Sequence, residues 1–147
     1  MSDEIIRLLA DLQARIESLE TVELPVWTFL TSPLTSTSFD GDSFSTTAKT
    51  LIDLSAVFST PASIKAVLVG CNVRDSGSAG TYSYLILSPN NTAGSGLVFG
   101  AESAVNDRYR FSIGIIPCDA NGDVFYQIAA SGASTLDIII EIWGYLA

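Results

Sequence analysis

The chain is expected to fold as a mainly β protein, a jelly-roll-like β-sandwich preceded by a short N-terminal α-helix that carries a coiled-coil seam. Three observations predict this. Helical spacing of apolar residues is confined to the first 23 residues. From Leu24 onward, short runs rich in β-branched and aromatic residues alternate with clusters of Gly, Ser, Asn and Pro. Finally, 147 residues, 48% of them hydrophobic, hold more apolar surface than a small monomer easily hides. The chain therefore divides into a helical stem, residues 1–23, and one β domain, residues 24–147.

In the stem, Ile5, Leu9, Leu12, Ile16 and Leu19 follow one another at intervals of 4, 3, 4 and 3. With Ile5 at d, the a positions are Leu9 and Ile16, and the d positions are Ile5, Leu12 and Leu19. Ser2 supplies an N-cap, and Asp3 and Glu4 are first-turn carboxylates that suit the helix dipole. Pro25 marks the end, because the residue before a proline avoids helical angles. Such a helix, roughly 30 Å long, is marginal alone in water. It must pack on other copies of itself or on its own β domain. Arg15-Ile16-Glu17-Ser18-Leu19-Glu20 resembles the Arg-h-x-x-h-Glu signature of parallel trimeric coiled coils. That resemblance implies a parallel trimer in which Arg15 at g covers the core edge and reaches Glu20 at e of a neighbouring chain. The implied trimerisation set is Ile5, Leu9, Leu12, Arg15, Ile16, Leu19 and Glu20.

The β domain opens with Val26 to Thr31, a run of β-formers after a proline. Weaker strands are expected at Thr35 to Phe39 and Phe44 to Thr50, joined by a turn at Asp40-Gly41-Asp42. Ile64 to Val73, Tyr82 to Leu87 and the short Leu97 to Phe99 follow. Tyr109 to Ile116, Val124 to Ala130 and Leu136 to Leu146 close the chain. Asn121-Gly122 predicts a hairpin between the first two of these closing strands. Ser131-Gly132-Ala133-Ser134 has the composition of a turn before the last. Eight or so strands and no second helical pattern suit a jelly roll.

Composition narrows the function. Seven basic residues against sixteen acidic ones give a net charge of −9, with a pI near 4.1. That field repels nucleic acid. A mean hydropathy of +0.38 argues against disorder. Ile138 to Ala147 is too short for a membrane span and carries Glu141, so no membrane insertion is expected. The N-terminus, Ser2-Asp3-Glu4, lacks the basic region of a secretory leader.

Little in the sequence promises catalysis. Histidine is absent, which removes the commonest general base and zinc ligand. Gly77-Ser78-Ala79-Gly80 and Gly94-Ser95-Gly96 are loop compositions without the Gly-Lys-Ser of a phosphate cradle. Asp119-Ala120-Asn121-Gly122-Asp123 alternates oxygen ligands around a glycine, but lacks the distal glutamate of a calcium loop. Its simpler reading is a tight turn with solvated acids. No enzyme activity, cofactor or metal is expected. Cys71 and Cys118 read as buried reduced thiols, and Asn90-Asn91-Thr92 as a loop. Trp27, Phe29, Phe111, Phe125, Trp143 and Tyr145 read as core or subunit-interface residues rather than a sugar platform.

The closing third also bears a family resemblance. Ile116-Pro117-Cys118-Asp119-Ala120-Asn121-Gly122-Asp123, Tyr126-Gln127-Ile128, Ala130-Ser131-Gly132, Leu136-Asp137 and Ile142-Trp143-Gly144-Tyr145 are similar to the closing strands of small tailed-bacteriophage structural proteins. Ile52-Asp53-Leu54-Ser55, Pro61 and Lys65-Ala66-Val67-Leu68-Val69 resemble the same group. The resemblance implies a homotrimer with a β-sandwich head on the outer surface of a virion. The expected role is capsid decoration (cement) or head fibre, with the major capsid protein lattice as partner. A stem of only 23 residues, with no separate attachment domain, favours that role. The alternative is the tip of a tail fibre, bound to a host surface receptor.

Overall fold

Alternation of inward apolar and outward side chains along eight strands builds two antiparallel four-stranded sheets. The computed structural model describes residues 3–20, 24–43, 48–77, 83–101 and 107–147; within these, the side chains of residues 19, 20, 42, 43 and 101 are not described. Helix α1 spans Asp3–Glu20 and strand β1 Trp27–Ser43. Then come β2 (Thr50–Ile52), a one-turn helix α2 (Leu54–Phe58), β3 (Ala66–Asp75), β4 (Ser83–Ser88) and β5 (Leu97–Ala101). The last three strands are β6 (Arg110–Pro117), β7 (Val124–Ala129) and β8 (Leu136–Leu146). One sheet has the order β1-β8-β3-β6, the other β2-β7-β4-β5.

The sheets face one another over a single core. Val67, Val69, Cys71 and Val73 of β3 and Leu136, Ile138, Ile140 and Ile142 of β8 point inward from the first sheet. Leu85 and Leu87 of β4 meet them from the second, together with Val124 and Ile128 of β7. Each fully buried aliphatic side chain contributes about 1.5–3 kcal/mol. Helix α2 adds Leu54 and Phe58 to the core. The Phe58 ring stacks on Phe39, their centroids 5.9 Å apart, and Phe39 meets Tyr126 edge-on at 5.3 Å.

Three local expectations are corrected. Asp40-Gly41-Asp42 is not a turn between two strands: it lies inside β1, paired with Ile139, Ile138 and Asp137 of β8. Two register shifts, between Phe29 and Leu34 and between Thr35 and Asp40, let one strand run through segments that read as separate. Pro33 sits in the first shift, on an edge strand where its missing N–H breaks no ladder. Of the expected strand Phe44 to Thr50, residues 44–47 lie outside the described residues, and β2 begins at Thr50. Helix α2 has no counterpart in the sequence reading; five residues are too few to display a helical period. It forms because Asp53 accepts a hydrogen bond from the Ala56 N–H at 2.9 Å and so caps the turn.

The third correction concerns Asn121-Gly122. The strands it joins do not pair: β6 pairs with β3, and β7 with β2 and β4. The turn carries the chain from one sheet to the other. Asp119 holds it closed, its Oδ1 accepting from the N–H groups of Asn121 (2.8 Å) and Asp123 (2.9 Å). Gly122, at φ +92°, packs so closely on another loop that a Cβ would lie 2.8 Å from the backbone nitrogens of Ser63 and Ile64. Gly94 also has a positive φ, +73°, but faces open space. Gly122→Ala is therefore expected to lower stability by roughly 2–4 kcal/mol, and Gly94→Ala by about 1 kcal/mol. Urea denaturation of both variants checks this; equal losses would contradict the packing of this turn against Ser63 and Ile64.

Candidate subunit interface

The described part of α1 buries nothing. Every residue from Asp3 to Ser18 is exposed. Ile5, Leu9, Leu12 and Ile16, four of the expected seam residues, are each close to half exposed, between 47% and 55%. Arg15 is also exposed. Leu19 and Glu20 belong to α1, but their side chains lie outside the described residues. The structure thus brings Ile5, Leu9, Leu12 and Ile16 onto one helical stripe, and among the described residues nothing covers it. Two residues that the heptad reading left out widen the stripe: Ile6 and Leu8, both more than half exposed, fall at e and g. An apolar face that extends from a and d to e and g is broader than a two-stranded seam requires. Local order in the helix comes from Asp3 and Glu4 in the first turn and from the Gln13 amide donating to Glu17 at 3.0 Å.

The aromatic residues divide between interior and surface. Tyr145 packs on the core, and Phe125 is half-buried on the second sheet. Trp27 and Phe29 stack on each other on β1, centroids 5.9 Å apart, and Phe29 is 69% exposed. Phe111 stands exposed on the edge strand β6. Trp143 is half-buried, its indole N–H donating to Glu141 at 3.0 Å.

Three polar clusters have the residue types of a reactive site. Lys49 donates from Nζ to Ser88 Oγ (2.7 Å), to Ser95 Oγ (3.2 Å), and to the carbonyls of Asn90 (3.4 Å) and Ser95. Desolvation lowers the pKa of its ammonium. A lysine beside a serine suggests a nucleophile and base, but here the lysine is the donor. The Ser88 hydroxyl, fully buried, gives its own proton to the Asn90 carbonyl at 2.7 Å. The arrangement clips the 89–96 loop to the second sheet.

Asp53, Asp119 and Asp123 form the second cluster. Asp123 accepts from the Leu54 N–H at 3.1 Å, and desolvation, with the charges of Asp53 and Asp119, raises its pKa. Among the described residues, no three His, Cys, Asp or Glu side chains come together as a metal site. The third cluster ties loops together. Asp75 accepts from the Gly77 N–H (2.8 Å), the Ser131 N–H (3.1 Å) and hydroxyl (2.6 Å), and the Ser83 hydroxyl. Desolvation opposes ionisation of Asp75, but these hydrogen bonds outweigh it and lower the pKa. Next to it, Arg74 forms ion pairs with Asp137 and with Asp107 (3.1 Å), and its guanidinium lies over the Tyr109 ring.

The thiols are free and far from reactive. Burial pushes Cys71 up to about 12, helped by Glu141. Cys118 is only half-buried, which corrects the expectation for it. Desolvation and the charges of Asp119 and Asp123 still push it up to about 12. Among the described residues, no helix is long and apolar enough to cross a membrane. No protein-family model matches the chain, and no curated protein matches its sequence.

Two carboxylates give opposite pH signatures. The lowered pKa of Asp75 means that its stabilising contribution is complete above the usual carboxylate range and lost as pH falls through the folded-state value. Asp75→Asn, which removes one acceptor oxygen of a charged group, is expected to cost about 2–3 kcal/mol at pH 7. That cost shrinks in acid. The raised pKa of Asp123 works the other way: its ionised form burdens the folded state at neutral pH. Asp123→Asn keeps an acceptor for Leu54 and is expected to raise Tm at pH 7, with the gain vanishing below the carboxylate range. Thermal melts from pH 3 to pH 8 check both; parallel pH profiles for wild type and variants would contradict the assignment.

Proposed function

We propose that this chain is a non-enzymatic structural protein of a tailed bacteriophage. In this reading it is a homotrimer that decorates the outside of the capsid, as a cement or head-fibre protein, and grips the major capsid protein lattice. The observation that carries the trimer is α1, whose apolar stripe is uncovered along its described length. A parallel three-stranded coiled coil buries that stripe and sets three β domains around one axis, a closed cyclic arrangement. The jelly-roll reading of the head is supported by its strand order. In the sheets β1-β8-β3-β6 and β2-β7-β4-β5, consecutive strands pair once, as β4–β5 in the second sheet, and between all the others the chain crosses from sheet to sheet.

The phage role rests on the sequence resemblance of residues 52–69 and 116–145. Charge supports the outside location. Three chains at −9 each bring −27, which keeps an assembly soluble and repels packaged genome.

Location and copy number on the particle test the role. Antibody labelling of virions that carry the protein is expected to mark the head at hundreds of copies. A few copies at the tail would replace decoration by receptor binding, and no labelling would remove the virion from the account. The stem has its own test. Leu12→Asp and Ile16→Asp each place a charge in the seam. Light scattering is expected to find both variants dissociated, with the β signal in circular dichroism retained. An unchanged mass in both would mean that the helix packs elsewhere.

A further inference from the structure

The outer face of the sheet β1-β8-β3-β6 grades from apolar to charged, and the apolar end is where the chain arrives from the stem. The pairing register gives the rows that cross it. The first row is Trp27, Leu146, Ala66 and Pro117. Next comes Phe29, Gly144, Leu68 and Ile115. Neither row contains a charged residue. The third row, Thr35, Glu141, Gly70 and Ile113, admits one carboxylate, and Glu141 accepts the Trp143 indole N–H beside it. Further along stand Asp40, Ile139, Asn72 and Phe111, and then the ion pair of Asp137 with Arg74.

An antiparallel sheet with one wet face alternates apolar and polar residues. At the stem end this one does not. On β6 the outward residues Phe111, Ile113 and Ile115 are each more than half exposed, while the inward series is Ser112, Gly114 and Ile116. β3 begins Ala66-Val67-Leu68-Val69, as do strands covered on both sides. Gly70 adds no side chain to the face. A Cβ there would lie 3.0 Å from the Phe111 ring and 3.1 Å from the Trp143 indole nitrogen, so both rings close in over bare backbone. A row of exposed apolar side chains on an edge strand such as β6 is an aggregation site unless something covers it.

We infer that a second copy of this chain covers this face, so that the stem-proximal rows of three copies converge to form a second subunit contact. The inference rests on the trimer proposed above. Area favours this occupant. The six exposed apolar residues of the α1 stripe, Ile5, Ile6, Leu8, Leu9, Leu12 and Ile16, offer roughly 600 Å² per chain, short of the ~800 Å² that each partner gives to a stable interface. Phe29 and Ile115 of the second row add roughly 250 Å², and the two together reach that size. Chain connectivity places the two surfaces near each other. Trp27 follows Glu20 by seven residues, so the first row lies within about 25 Å of the end of α1. Because the first two rows carry no charge, copies with a net charge of −9 meet there without setting carboxylate against carboxylate.

The protein carries its own probe for this contact, because its two tryptophans, Trp27 and Trp143, both lie on the face. In the full chain, tryptophan emission is expected to shift red on dilution as the trimer dissociates. The double variant Phe29→Asp/Ile115→Asp alters two exposed side chains. It is expected to raise the dissociation constant in sedimentation equilibrium at least 100-fold and to emit red at all concentrations, with its β circular dichroism unchanged. Should the double variant lose its β signal, Ile115→Ser replaces it, with an expected increase of about tenfold. A dissociation constant and emission equal to wild type in a folded variant overturn the inference. The stem variants separate the two claims. Dissociation by Leu12→Asp/Ile16→Asp but not by the face variants overturns the face contact and leaves the stem. The reverse pattern keeps the face contact between copies and removes the stem.

Discussion

β8 is the strand on which the rest of the molecule depends. It lies between β1 and β3 and pairs antiparallel with both, so it is hydrogen-bonded on both edges. Leu136, Ile138, Ile140 and Ile142 project from it into the core, and all four are fully buried. The same strand also sets the other surface. A bulge opposite Leu68 and Val69 shifts the alternation, so that Ile142 and Tyr145 both turn inward while Gly144 lies flat against β1. Outward, β8 carries Asp137, Ile139, Glu141 and Leu146, and the apolar surface left exposed lies on the edge strands of its sheet, at Phe29 of β1 and at Phe111, Ile113 and Ile115 of β6, a surplus that one chain does not hide. The trimer proposed for this protein follows from that surplus as much as from the helix.

Most of this was legible locally. The bounds of β8 agree with the sequence reading, because a run dominated by Ile, Trp and Tyr that follows a Ser-rich turn leaves little ambiguity. β3, β4, β6 and β7 fall within a residue or two of the expected runs for the same reason. Nonlocal features were not legible. Asn121-Gly122 has hairpin chemistry, but whether the flanking strands pair depends on β2, β3 and β4, which are distant in sequence. Asp40-Gly41-Asp42 looks like a turn until β8 offers it a partner. The graded outer face is invisible to any single-strand reading, since each row draws one residue from each of four strands. In the stem the helix and its apolar stripe are legible, but Ile6 and Leu8 fall outside a strict heptad template, which counts only a and d.

The two ends of the sandwich are built differently. At the end far from the stem, Arg74 and Asp75 bind the connections around them. Asp75 holds Gly77, Ser83 and Ser131, and its carbonyl accepts the Asp107 N–H at 2.9 Å. Charge-assisted bonds of this kind are about twice as strong as neutral ones, and several on one carboxylate make a rigid corner. At the stem end the surface is apolar and bare. A molecule that is polar and pinned at one end, and apolar and unpartnered at the other, is suited to standing on an axis shared with its own copies and presenting fixed loops away from it. In the shell-decorating role proposed above, that division would separate the part that makes the assembly from the part that meets the surroundings.

The mass of the unsubstituted 147-residue chain in solution tests the central claim most directly. Light scattering coupled to gel filtration at micromolar concentration is predicted to return about 47 kDa, three chains of 15.6 kDa. A single 15.6 kDa species at that concentration would contradict the account, because both the helical stripe and the apolar end of the outer sheet would then stand uncovered in water.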